Sequence, residues 1–307
     1  MDVVCLRILV ADVIARPVDE LPPPGSLGLV EDIRLHGGGC ALNTASALVK
    51  LGAQAAAAGK VGADPFGNFV LDLLDERDVD RRAVIRDPAT PTSATVALVR
   101  SDGERTFLHL TGASSQLRAE ELDPQLLYAG RVLHVAGALV LEQLDGAPTA
   151  SLLAEARARG ILTSLDTVWD ATGRWHRLHP CLAGLDLAVP SLAEAQAVSG
   201  ERQPERVAAW FRAQGVQEVA LKMGAAGCYV AGESFEGQVP APAVHAVDGT
   251  GAGDAFAAGF LFGKLEGFGL ERTARLANAA GALATTAVGA FEGVRGPAET
   301  LGLAGLA

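Results

Sequence analysis

The run Asp248-Gly249-Thr250-Gly251-Ala252-Gly253-Asp254-Ala255-Phe256 concentrates groups that could do chemistry. Its three glycines alternate with small residues, so the backbone can take turns that a side chain would block. Ala255, Phe256, Ala258, Gly259 and Phe260 then fall on one face of a helix that starts near Ala252. A glycine turn feeding a helix start aims several unpaired N–H groups at one point. With the helix dipole they form a site for an anion. A carboxylate there repels the anion unless it has work beside it. The work that suits Asp254 is to take a proton from a nucleophile while the N–H groups hold the charge developing on a transferred group. Two common phosphate loops are excluded. A P-loop needs Lys-Ser/Thr after its last glycine, and Gly253 is followed by Asp254-Ala255; a G-x-G-x-x-G fingerprint from Gly249 would need glycine at 254.

Other elements must bring a substrate to that loop. His36-Gly37-Gly38-Gly39-Cys40-Ala41-Leu42-Asn43 is a second glycine cluster, opening a helix that runs through Leu48 to Leu51. Gly38 and Gly39 would let a ligand touch bare backbone, and Asn43 carries both a donor and an acceptor, which suits a polyol. Val3 to Val10 reads as a first central strand ending at Ala11-Asp12. Ligands gather at the carboxyl ends of strands in open α/β sheets, so Asp12 is a candidate for binding substrate hydroxyls. Thr92–Arg100 and Arg105–Leu110 alternate around Gly103 as a hairpin. With Ile33–Leu35 they form a small sheet, a lid that excludes water, on which Arg105 and His109 are candidates to face substrate. From Arg131 onward the strands Val132–Val135, Leu162–Leu165, Leu185–Val189 and Val219–Leu221 alternate with helices at 142–159, 194–198 and 205–214. That rhythm means βαβ units and a parallel sheet, with Asp166 and Pro190 at its ligand-facing edge. Lys222-Met223-Gly224-Ala225-Ala226-Gly227 is a glycine turn before the next strand. The small-residue helix Glu271–Thr286, which contains Asn278, could pack close to a flat purine.

The 307 residues, 49% hydrophobic and 20% charged, suit one large α/β domain with an insertion, or two small domains, with ample core. A net charge of −11 argues against nucleic acid and anionic membranes as partners. Four scattered cysteines with no C-x-x-C, no signal pattern and no long apolar run point to a cytoplasmic protein.

GGGCALNTA near residue 40 and DGTGAGDAF near 250, supported by GKVGADPFG (59–67), AGALVL and LKMGAAGCYV (221–230), resemble the PfkB/ribokinase family of ATP-dependent sugar and nucleoside kinases over nearly the whole chain. The resemblance implies an α/β fold, a three-layer sandwich with a central, mostly parallel sheet. It implies one domain over 1–307, with a β lid from about 13–36 and 92–112. Asp254 would be the catalytic base, with Gly251, Ala252 and Gly253 as the anion hole. Asp12, Gly38, Gly39 and Asn43 would bind sugar hydroxyls, and Lys222, Gly224, Gly227, Thr250 and Asn278 would lie around ATP. Glu194 would organise Mg²⁺ through water, and Asp248 with Thr250 sits where several family members hold K⁺. The family's Asn-x-x-Glu reads Ser191-Leu192-Ala193-Glu194 here, Cys40 stands where ribokinase has Lys, and Arg7 stands where Gly is common. The acceptor expected is a simple sugar or sugar acid. A nucleoside is the second choice, because the chain is only 5% aromatic, and a non-catalytic sugar-binding regulator is the third. Exposed lid strands invite pairing into a homodimer.

Overall fold

The residues of β1 (Val3–Arg7) are buried without exception, because helices cover both faces of the strand. Val3 and Cys5 join one core cluster, whereas Val4 and Leu6 join another, as the two-residue period of a strand requires. In the computed structural model, which describes residues 1–307, the strands that follow are β2 (Val10–Arg16), β3 (Asp32–Gly38), β4 (Ala55–Gly62), β5 (Val84–Asp87), β6 (Ala94–Val99) and β7 (Arg105–Leu110). Then come β8 (Val132–Ala138), β9 (Leu162–Thr167), β10 (Leu187–Ala188), β11 (Glu218–Lys222), β12 (Cys228–Ala231) and β13 (Glu236–Val239).

Nine strands form the central sheet in the order β13-β12-β11-β10-β9-β8-β1-β4-β5. The run from β11 to β5 is parallel, and β12 pairs antiparallel with both of its neighbours. One face is covered by the helices Cys40–Lys50, Ala252–Leu265 and Leu270–Ala284, through Leu42, Leu48, Phe256, Phe260 and Leu276. The other is covered by the helices Ala147–Ala158, Leu192–Ser199 and Pro204–Ala213, through Leu153, Val198, Val207 and Phe211. The fold is therefore the three-layer α/β sandwich expected. The helices at 252–265 and 270–284 approach closely: a Cβ on Gly259 would lie 2.9 Å from Cα of Ala277.

The remaining strands make a separate four-stranded sheet in the order β3-β2-β6-β7. Here the boundaries differ from those read in the sequence. The chain leaves the central sheet at Arg7 and enters the small one at Val10, so the apolar run from Val3 serves two sheets. No glycine or proline marks the break; Arg7 itself takes a φ of 144°. Asp12 consequently sits inside a small-sheet strand rather than at the end of a central one. Two short strands, β5 and β13, were not legible as strands. The helix expected from Glu142 begins only at Ala147, because residues 139–146 form a turn in which Asp145 accepts the N–H groups of Leu139 and Leu141. No helix is long and apolar enough to cross a membrane.

Candidate active site

Gly251 is the N-cap of the helix Ala252–Leu265, with a φ of 72°. A side chain is excluded there twice over, since a Cβ would also lie 2.5 Å from the carbonyl oxygen of Ala290. This turn leaves the N–H groups of Gly251, Gly253 and Asp254 without any partner in the protein, whereas that of Ala252 donates to Gly249 O at 3.3 Å. The free donors are thus displaced from the trio 251–253 named by resemblance: Ala252 is engaged within the turn, and Asp254 contributes its own N–H.

The Asp254 side chain accepts a hydrogen bond of 2.8 Å from Nδ2 of Asn43, which reaches it from the helix Cys40–Lys50. Burial drives this carboxyl above the usual carboxylate range, against the pull of the Asn43 amide, Lys222 and Cys40. Oδ1 of Asn43 is buried and has no partner. The same amide that orients the acid thus keeps one acceptor unsatisfied beside it.

Asp254 lines a cleft of about 290 Å³ together with Cys40, Asp166, Ser191, Glu194, Lys222 and Gly224. Lys222, at the end of β11, is its single cation, facing the carboxylates of Asp166, Glu194 and Asp254. Its Nζ donates to both oxygens of Asp166, at 2.8 and 2.6 Å, and lies 3.3 Å from where a Cβ on Gly253 would stand. Burial alone would lower the Lys222 ammonium, but Asp166, Glu194 and Asp254 outweigh it and hold the amine charged. Asp166 is the penultimate residue of β9, next to Thr167, which ends it. Sequence reasoning placed it at the ligand-facing edge without assigning it a role, and missed Thr167 altogether.

Glu194 is fixed by a capping box. Its Oε2 accepts from Ser191 N (3.1 Å) and from Thr167 Oγ1 (2.8 Å), and its N–H donates to Ser191 Oγ at 3.3 Å. Ser191, in place of the family's asparagine, thus holds the acid through its backbone and its hydroxyl.

Across the small sheet, strand register sets His36, Asp12, Thr95 and His109 in one rung over all four strands. Burial raises the Asp12 carboxyl, and Thr95, His109 and His36 each work against that rise. A Cβ on Gly38 would lie 2.0 Å from Asp12 Oδ2, and one on Gly39 would lie 2.3 Å from Ile8 O. These glycines therefore make room for Asp12 and for the corner between the two sheets.

Five further residues make protein contacts that the resemblance did not name. Nδ2 of Asn278 donates to the carbonyls of Val239 and Pro240, at 2.9 and 3.3 Å, so this buried amide fastens the chain after β13. Gly227 is packed against Val239, 2.1 Å from its carbonyl oxygen to a built Cβ, whereas Gly224 lies in the open cleft. Arg105 reaches from β7 to Asp248 Oδ1 and to Thr250 Oγ1, both at 2.5 Å, instead of into an acceptor space. Asp248 and Thr250 are accordingly bound to a guanidinium where K⁺ was expected.

Residues 1–295 match the family described as pfkB family carbohydrate kinase. The 2-dehydro-3-deoxygluconokinase of Bacillus subtilis (strain 168) is 32% identical over 270 residues, covering 83% of this chain and 82% of the relative. The fructokinase of Klebsiella pneumoniae is 33% identical over 268 residues, covering 83% and 87%. Among solved structures, Arabidopsis thaliana ribokinase complexed with ribose and ATP superimposes with a TM-score of 0.84 at 22% identity, covering 99% of this chain and 98% of that one. At that identity the likeness speaks for the fold.

Proposed function

This chain belongs to the pfkB family of carbohydrate kinases, and we propose that it transfers the terminal phosphoryl group of ATP to a hydroxyl of a small sugar or sugar acid, with Asp254 as the base. The observation that carries the assignment is the pairing of a buried carboxylate with three unpartnered N–H groups in one helical turn. Phosphoryl transfer is mostly positioning and electrostatics. The acceptor hydroxyl lies between Asp254, which takes its proton as the new O–P bond forms, and the free Oδ1 of Asn43. The N–H groups of Gly251, Gly253 and Asp254, with Lys222 beside Gly253, hold the charge of the phosphoryl oxygens. Three carboxylates against one ammonium make this cleft a poor host for a bare polyphosphate, and they fit a divalent counter-charge. Glu194 would hold Mg²⁺ through water, and the ion when bound offsets the phosphate charge.

Relatives named fructokinase and 2-dehydro-3-deoxygluconokinase favour a sugar or sugar acid over a nucleoside. So does the rung of His36, Asp12, Thr95 and His109, which offers several hydrogen-bonding groups to a polyol. We assign the small sheet the role of a lid over the acceptor, and its apolar outer face the role of a contact between two copies of the chain.

The test is ADP release with MgATP across pentoses, hexoses, sugar acids and nucleosides. One strong acceptor whose turnover vanishes in Asp254→Asn supports the assignment. Turnover that survives in Asp254→Asn removes Asp254 as the base.

A further inference from the structure

We propose that Arg105 stands in for a monovalent cation at Asp248 and latches the small sheet to the anion-binding loop, an inference that rests on the kinase reading above. Asp248 has little capacity left for a metal ion. Its Oδ1 accepts from Arg105 Nη2 (2.5 Å), Thr250 N (2.9 Å) and Thr250 Oγ1 (2.7 Å), and its Oδ2 accepts from Gly289 N at 2.9 Å. The side chain is only 6% exposed. A cation with a planar donor fork already neutralises it, so K⁺ would have to displace a bidentate bridge. Burial pushes the Asp248 carboxyl up, and the bonds from Arg105, Gly289 and Thr250 override it, holding it at about 2. The residues present therefore do not fit the ion that the family resemblance suggested.

What differs is where the charge resides. A dissolved ion would reach the loop whatever the small sheet was doing. Arg105 belongs to β7, on the face that also carries Phe107 and His109. Asp248 and Thr250 lead into Gly251, whose turn leaves the N–H donors free. The loop thus receives its cation only when the small sheet is docked, which couples acceptor enclosure to the shape of the anion site. Arg105 is here a positioning residue: it touches the loop and acts through it.

The experiment compares wild type, Arg105→Ala and Arg105→Lys, each as the full chain, in tetramethylammonium, lithium and potassium chloride. Turnover with MgATP and the acceptor found in the sugar panel is read beside the melting temperature. Wild type is expected to change by less than about twofold on adding K⁺, as follows when no ion binds the folded state preferentially. Arg105→Ala is expected to lose about 10- to 100-fold in turnover without K⁺, the worth of a charged hydrogen-bond bridge. K⁺, but not Li⁺, should restore most of that loss. Arg105→Lys should fall between, because one ammonium cannot span both Asp248 and Thr250 as the fork does. Strong K⁺ stimulation of the wild type overturns the proposal, as does an Arg105→Ala protein equal to wild type in every salt. If no acceptor supports turnover at all, the kinase reading fails, and melting still decides the latch. A wild-type midpoint that climbs with K⁺ sinks it; a flat wild type beside a K⁺-stabilised Arg105→Ala supports it.

Discussion

Asp254 is held by the Asn43 amide in a place where burial makes its charge costly. That environment has two consequences of opposite sign. Burial raises the carboxyl, so protonation disables the base at pH values above the about 3.9 of an exposed aspartate. The acid limb of kcat/KM should therefore lie above the ordinary carboxylate range, with the rate falling as pH falls through it; a limb at or below that range would contradict the burial argument. Linkage gives the second consequence. A carboxyl with a raised folded pKa loses stability as pH rises through that pKa, because the folded state must then carry the charge. Asp254→Asn keeps the acceptor for Asn43 and drops the charge. It should cost about 10²–10⁴ in kcat while its melting temperature at pH 8 stays at or above that of wild type. Steady-state rates and calorimetry on the same preparation check both halves, and a variant that is inactive because it has unfolded would fail the second.

Among the elements, the end of β1 shows how the site is braced from below. Arg7 is fully buried, pairs with Asp145 at 2.5 Å and donates to Thr149 Oγ1 at 3.0 Å. Asp145 in turn closes the turn after β8 through the N–H groups of Leu139 and Leu141. Removing one member of a buried pair leaves an uncompensated charge, so Arg7→Ala should destabilise the chain by about 3–5 kcal/mol. Urea unfolding measures this, and a loss well under 1 kcal/mol would show that the pair is dispensable. Nothing in the sequence linked Arg7 and Asp145, which stand 138 positions apart. The same junction explains why Asp12 was assigned to the wrong sheet: Ile8-Leu9-Val10 continues the apolar run after Arg7, and the break rests on an arginine at positive φ. The loop at 248–256 was legible because its turn, its donors and its acid are all local to nine residues. Asn278 and Gly227 were expected around the nucleotide from the resemblance, and small and amide residues serve packing as readily as ligands: both also make packing contacts here.

For the whole molecule, the small sheet has two unlike faces, and alternation along its strands sorts them. Asp12, His36, Thr95, Arg105 and His109 share one face, and Val13, Ile33, Leu35, Val96, Leu108 and Leu110 share the other. On that second face Ile33 and Leu108 are 65% and 64% exposed, and Leu35, Val96 and Leu110 are exposed beside them. A contiguous apolar face of this kind marks an interaction surface. The occupant proposed is the same face of a second copy, since a twofold contact needs only self-complementarity, and leucine, isoleucine and valine supply it without a charge to match. Leu108→Lys places a charge opposite its symmetry mate and should convert a dimer of about twice 31.5 kDa into a monomer in sedimentation velocity. The polar rung faces the other way, so acceptor KM should rise only as far as the lone sheet loses rigidity. A wild-type protein that sediments as a monomer at concentrations far above those of an assay would show instead that this face meets something else, and Leu108→Lys would then leave both mass and KM unchanged.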